Sequence, residues 1–409
     1  VRARWLGLAA VAAASGALGG CGGVAVSSTT VATGPQLAVY SSLPLQGPAA
    51  AISQQLVGGE KLALADAGGR AGRFKVGYVS LDDSGTAGGP WNPGVTATNA
   101  KTAAQDTSTI AYLGDLDSAA TAISLPLTNA AGILQVSPAS PYVGLTSSLF
   151  AGQDEPGRFY LSGKRTFGRL QPGDTVQAAA QVSLMRSLGV RRLYVIDDQD
   201  PFRAPLADLV AADARRAGIV VPGHDSMPVA PGGTFAGEAQ RVAESHADAV
   251  FFAGAGTGAV GLWQALHASD PRLLLLGSSA LDDDAFASAI GDAGAVTYLT
   301  TPALPDALYP PAAERVLAEY RRAFGGEVGA YALYGYEAMS VVLDAIRAAG
   351  SHGNDRQAVI DRFFAVRERP SVLGRYSIQP DGETTLSRYG SERVVGGRRT
   401  FYRAFDVTP

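Results

Sequence analysis

Short apolar runs alternate along the chain with stretches whose apolar positions recur every three or four residues. LAVYSS (37–42) reads as a strand, and the loop QGP after it opens a helix that runs to Asp66 and stops at Ala67-Gly68-Gly69. KVGYVSLDD (75–83), TIAYLGDLDS (109–118) and GILQVSPAS (132–140) read as three more strands, with Ser118 capping the helix that follows the middle one. A second series begins at Asp174, which with Gln177 resembles a capping box. Val176, Ala180, Leu184 and Leu188 then mark one helical face that ends at Gly189. RRLYVIDD (191–198), DAVFFAGAG (248–256), RLLLLGSS (272–279) and AVTYLTT (295–301) are its strands. Helices are expected near 311–324, 330–349 and 355–366, and short strands (SVLGRYSIQ, RTFYRAFDV) close the chain.

The segments LYVI, AVFF and LLLL show no alternation, as expected of parallel strands covered by helices on both faces. The repeated strand–helix order, present in two series, predicts an α/β fold of doubly wound, Rossmann-like architecture. In open sheets of this kind a ligand sits beyond the carboxyl ends of the strands. That rule singles out Ser41-Ser42, Asp82-Asp83, Leu116-Asp117-Ser118, Pro138-Ala139-Ser140, 197–202, 254–258 and Ser278-Ser279. These loops carry hydroxyls, amides and small residues. Each precedes a predicted helix N-terminus, where free N–H groups favour an anion such as a carboxylate. They hold no evident set of general acid, base and nucleophile.

The front of the chain adds a different signal. Arg2 and Arg4 precede an apolar stretch from Trp5 to Leu18, shorter than the roughly 20 residues a spanning helix needs. This is the pattern of a secretory signal. Leu18-Gly19-Gly20-Cys21 resembles the lipobox of bacterial lipoproteins, in which the cysteine is diacylated and becomes the first residue. Two acyl chains meet the requirement for stable anchoring. Cys21 is the one cysteine of 409 residues, so the mature chain is left with no thiol for a disulfide, a zinc–cysteine site or a nucleophile. Residues 22–35 are small and without periodicity, a tether with a reach of roughly 20 Å. About 370 residues then remain, enough for two domains. The net charge of −4 and the absence of a basic patch argue against nucleic acid as a partner.

Three motifs are weighed against plainer readings. Gly256-Thr257-Gly258-Ala259-Val260-Gly261 spells a dinucleotide fingerprint, yet the next strand ends in Ser278-Ser279 where an acidic residue is needed. A tight turn at the mouth of a cleft explains the glycines better, and no cofactor is expected. His224, His246, His267 and His352 are not spaced as a metal pair. Asp282-Asp283-Asp284 lacks the alternation of a calcium loop, so it reads as a helix cap and no metal is expected.

The ordered series YSSLPLQGP, YVSLDD, NPGVTATNAKTAAQD, YLGDLDSAAT, GILQVSPASPYVGLT, RTFGRLQPGD, VIDDQDPFRAPL, FFAGAG, LLGSSAL, YALYGYEAMSVVLDAIRAAGS and VLGRYSIQPDGE resembles the periplasmic leucine/isoleucine/valine-binding proteins, the type I solute receptors of ABC transporters. The resemblance spans nearly all of 36–409. It implies two lobes joined by three crossings: 36–162 with 302–366 as the first, 163–301 with 367–409 as the second. It also implies a small-molecule ligand in the cleft between them, lobe closure, an ABC permease as partner, a monomer, no enzymatic activity, and an extracytoplasmic chain held to the membrane by Cys21. Ser118 and Ala139 correspond to family positions that meet the ligand's polar end, and Phe202 to an aromatic that covers it.

The departures are as informative. Pro141 stands where a threonine contacts the ligand, Ala255 near an expected aromatic, and Ser279 where a glutamate pairs with the ligand ammonium. The candidate ligand-binding set is Ser42, Leu116, Asp117, Ser118, Ala139, Ser140, Phe202, Ala255 and Ser279. The ligand that the resemblance implies is a branched-chain amino acid or, given the departures, a related amide, carboxylate or aromatic compound, with Asp117 or Asp198 in place of the missing glutamate if an ammonium is bound. A sensor of the same fold uncoupled from transport and a secreted α/β enzyme are the alternatives.

Overall fold

The computed structural model describes residues 30–85, 91–326 and 328–407. The signal and lipidation readings at 1–21, and most of the tether, lie outside the described residues.

The first lobe opens with strand β1 (Leu37–Leu43), all seven residues of which are buried. Helix α1 (Ala50–Asp66) returns the chain over the sheet to a short edge strand β2 (Arg70–Ala71) and then to β3 (Phe74–Asp82). Helix α2 (Pro93–Gln105) is capped by Asn92, which accepts from the Gly94 and Val95 N–H groups, and leads to β4 (Thr109–Leu113). Helix α3 (Ser118–Ala130), β5 (Leu134–Ser137) and β6 (Phe167–Arg169) follow. The sheet order is β2-β3-β1-β4-β5-β6, with β1 at its centre, parallel to β3 on one side and β4 on the other.

The second lobe repeats the plan. Helix α4 (Asp174–Leu188), β7 (Arg192–Asp197), α5 (Ala204–Arg216), β8 (Val220–Ser226), α6 (Ala236–Glu244), β9 (Ala249–Ala253), α7 (Gly256–Ser269), β10 (Leu274–Gly277), α8 (Asp284–Ala289) and β11 (Thr297–Thr301) run in turn. After β11 the chain goes back to the first lobe for α9 (Pro311–Phe324), α10 (Ala330–Ala348), α11 (Arg356–Phe364) and a hairpin of β12 (Arg369–Ser371) and β13 (Gly374–Tyr376). It ends in the second lobe with β14 (Arg388–Val395) and β15 (Arg398–Asp406), which pair antiparallel onto β11 and complete the order β15-β14-β11-β10-β9-β7-β8.

Two doubly wound lobes and three crossings are therefore present, but the exchange points differ from those expected. The crossings fall after Arg169, after Thr301 and before Arg388. Phe167–Arg169, expected beyond the first exchange, is the edge strand of the first sheet. Val372, Leu373, Tyr376 and Ile378, expected in the second lobe, join the first lobe's core. A three-residue strand with a central glycine carries no period, and the short hairpin has no sheet of its own in which to bury its apolar side chains.

Helices α1 and α10 approach backbone to backbone. A Cβ on Gly335 would collide with the Leu56 carbonyl oxygen, and one on Gly59 with that of Ala332. This contact fixes where two cleft-facing side chains, Ile52 and Tyr331, stand. Gly335→Ala is expected to lower stability by about 1–3 kcal/mol despite alanine's better helix propensity, because neither main chain can give way. A melting temperature equal to that of the parent would contradict this.

Candidate functional site

The carboxyl ends of both sheets face a cavity of about 230 Å³ between the lobes. The first lobe contributes Ile52, the loop Leu116-Asp117-Ser118, Ala139, Pro141 and Tyr331, and the first crossing adds Gln171. The second contributes Asp174, Gln177, Phe202, Arg203, Leu206 and Ser278-Ser279-Ala280. Each loop lies there because a parallel strand ends and the chain turns outward into the next helix.

On the first-lobe side, Asp117 rather than Ser118 caps α3: its carboxylate accepts from the Ala119 N–H at 2.7 Å. Ser118 is the first helical residue, and its Oγ accepts from the Tyr142 N–H at 3.2 Å. Burial raises the Asp117 carboxyl above its ordinary range, against the Ala119 N–H and the Arg203 guanidinium, which lower it. The Ala139 N–H is taken by Ser137 Oγ at 3.2 Å.

On the second-lobe side, Gly173 is the N-cap of α4, so Asp174 is not the capping residue the sequence suggested. It is 3% exposed, and burial pushes its carboxyl up to about 7, against the Arg169 guanidinium and the Val143 N–H. Ser279 Oγ donates to Gln177 Oε1 at 3.2 Å, and Gln177 Nε2 donates to Thr300 Oγ1 at 3.1 Å, which locks both side chains. Phe202 packs edge-on against Tyr142 of the opposite lobe, with centroids 5.2 Å apart. Arg203 pairs with Asp198 at 3.1 Å and Asp200 at 2.9 Å.

Of the nine expected site residues, Leu116, Asp117, Ser118, Ala139, Phe202 and Ser279 converge on this cavity. Three do not. Ser42 is buried inside the first lobe, bonded to Asp83 at 3.1 Å and Asn99 at 3.0 Å. Ser140 faces the wall, sharing a 2.7 Å bond with Thr121 and donating to the Asp115 carbonyl at 3.0 Å. Ala255 is exposed beside the cleft, its N–H held by Asp198 at 3.1 Å.

Sequence reasoning missed Asp174 and Gln177 as cleft residues, although their i, i+3 spacing at a helix start put them on one face. It also missed Arg203, one residue past the expected Phe202. Ile52, Gln171, Leu206 and Tyr331 carry no local signal.

The glycine motif is structural: a Cβ on Gly258 would meet the Val229 carbonyl and one on Gly261 the Phe235 ring. Asp283 caps α8, accepting from Ala285 N–H at 2.9 Å, and Asp282 pairs with Arg399. Among the described residues no group of three or more metal-ligating side chains assembles, and no helix is long and apolar enough to cross a membrane.

The family described as periplasmic binding protein matches residues 41–389. No curated protein sequence matches the chain. Similar solved structures include the leucine-binding protein LivK from Thermotoga maritima, 20% identical, with a TM-score of 0.75 over 90% of this chain and 99% of that one. The branched-chain amino acid substrate-binding protein LivJ from Streptococcus pneumoniae, in complex with isoleucine, is 16% identical, with a TM-score of 0.71 over 91% of this chain and all of that one. An ABC-transporter solute-binding protein from R. palustris, in complex with 4-hydroxybenzoate, is 17% identical, with a TM-score of 0.72 over 91% of this chain and 98% of that one. At these identities the likeness is one of fold.

Proposed function

The chain belongs to the periplasmic binding protein family, and we propose that it is the extracytoplasmic solute receptor of an ABC importer. A small polar or amphipathic ligand binds between the lobes, and the closed form is presented to a membrane permease. The observation that carries this is the cavity itself, built by loops from both lobes at the carboxyl ends of their strands. A ligand that touches both walls has more contacts in the closed state than in the open one, and that difference drives closure. Proteins of similar fold include a leucine-binding protein, one in complex with isoleucine and one in complex with 4-hydroxybenzoate. The fold thus accommodates ligands of unlike chemistry. The chain works as a monomer and is not an enzyme. Lipidation of Cys21 keeps it near its permease, and Cys21→Ala is expected to release it into the medium.

Thermal-shift screening of the chain without residues 1–21, against amino acids, amides, amines, small carboxylates and aromatic acids, tests the proposal. A true ligand at 100 times its dissociation constant stabilises the fold by about 2.7 kcal/mol. Ser118→Ala and Phe202→Ala should weaken the hit at least several-fold. Silence across the panel counts against a receptor for such solutes.

A further inference from the structure

The charge arrangement in the cleft says more about what enters it. We propose that the cavity takes a small organic cation, a primary ammonium or amidinium on an apolar body, held between the carboxylates of Asp117 and Asp174. This rests on the receptor reading and specifies its ligand.

The two carboxylates come from opposite lobes, Asp117 from the loop before α3 and Asp174 from the first turn of α4, and both line the same cavity. Asp174 is 3% exposed and forms no ion pair among the described residues. The cations nearby are already committed. Arg203 is paired with Asp198 and Asp200. Arg169, behind Asp174, is paired with Glu383. A ligand carboxylate would therefore meet no free cation and two acidic side chains.

Three backbone donors near the cavity are occupied as well. The Ala119 N–H is taken by Asp117 itself, the Ala280 N–H by Ser278 Oγ at 3.3 Å, and the Ala139 N–H by Ser137 Oγ. The remaining lining suits an apolar body: Ile52, Leu116, Leu206, Phe202 and Tyr331. Aromatic rings beside a desolvated cation add to its attraction. A buried charge without a partner is costly, and a ligand cation supplies that partner to Asp174, and a further one to Asp117, at the moment the lobes meet.

Isothermal titration of residues 22–409 tests this with two matched series. Isoamylammonium, benzylammonium and leucinamide carry the cation; isovalerate and benzoate have similar bodies and a carboxylate, and leucine has both charges. The ammonium compounds are expected to bind at least tenfold tighter than the carboxylates, and leucinamide tighter than leucine. Asp174→Asn should weaken isoamylammonium at least tenfold while the protein still melts cooperatively. Asp117→Asn, which keeps a side chain able to cap α3, should do the same if the first variant fails to fold. Carboxylates binding better than their ammonium counterparts, leucine binding better than leucinamide, or unchanged ammonium affinity in both variants would overturn the inference and leave the receptor reading standing. If no compound of either charge binds, both fail.

Discussion

Arg169→Ala is expected to destabilise the protein by about 3 kcal/mol, at the lower end of what breaking a buried pair costs. The guanidinium is fully buried at the end of β6, where the chain first leaves the first lobe. It donates to the Ser140 and Tyr142 carbonyls at 2.6 and 2.9 Å, to Thr146 at 2.7 Å, and pairs with Glu383 on the third crossing. One side chain thus ties two of the three crossings to the loop that carries Ala139 and Pro141 into the cleft. Removing it strands two carbonyls and Glu383. The Glu383 side chain keeps 20% of its surface exposed, so water relieves part of the loss, which is why the lower figure is expected. Urea unfolding measures it, and a double-mutant cycle with Glu383→Gln separates the ion pair from the carbonyl bonds. A loss under 1 kcal/mol would mean that the crossing is held elsewhere. Because the same side chain positions the cleft loop, ligand affinity should fall along with stability.

The repeated strand–helix order was readable because the buried strands carry apolar runs without alternation, most plainly in β7, β9 and β10. β1, β4 and β9 are buried at every residue, and the strands expected there overlap them, one residue short of the end of β1 and running past the carboxyl ends of β4 and β9. The loops at their carboxyl ends followed from topology alone, and six of nine expected side chains reached the cavity. The failures have a common physical origin. A serine at a strand end can serve a ligand or satisfy a neighbour, and residue type does not distinguish the two. Ser42 satisfies Asp83 and Asn99; Ser140 satisfies Thr121 and the Asp115 carbonyl. The opposite error arose at Asp174, where a helix-start carboxylate suggested a cap but Gly173 holds that position. The back wall of the cleft was out of reach for another reason. Ile52 and Tyr331 are brought together by the close approach of α1 and α10, a tertiary contact made by Gly59 and Gly335 and not by any period in either helix.

Stability should fall as pH rises from about 4.5 to 8, and Glu60 should account for a distinct share of that fall, alongside other buried carboxyls such as Asp115, which burial also raises. Glu60 lies in α1 with no exposure, its carboxyl bonded by the Tyr78 hydroxyl. Burial pushes it from 4.5 up to about 8, and the Tyr78 bond offsets only part of that rise. The folded state holds this proton where the unfolded chain has released it. The contribution is therefore complete below the unfolded value and is lost as pH climbs through the folded one, at about 1.4 kcal/mol per pH unit. Asp174 and Glu392, each raised to about 7 mainly by burial, act in the same direction over a narrower window. Asp82, lowered to about 2 by its hydrogen bonds from Ser84, Gln46 and Leu45, acts oppositely and only at lower pH. Urea titrations at pH 5, 6.5 and 8 measure the slope. Glu60→Gln, which never ionises, should remove about 1.4 kcal/mol per pH unit from it between pH 5 and 8. An unchanged slope in that variant would show that Glu60 is already ionised in the fold, and that its charge is solvated by a route its buried position does not provide.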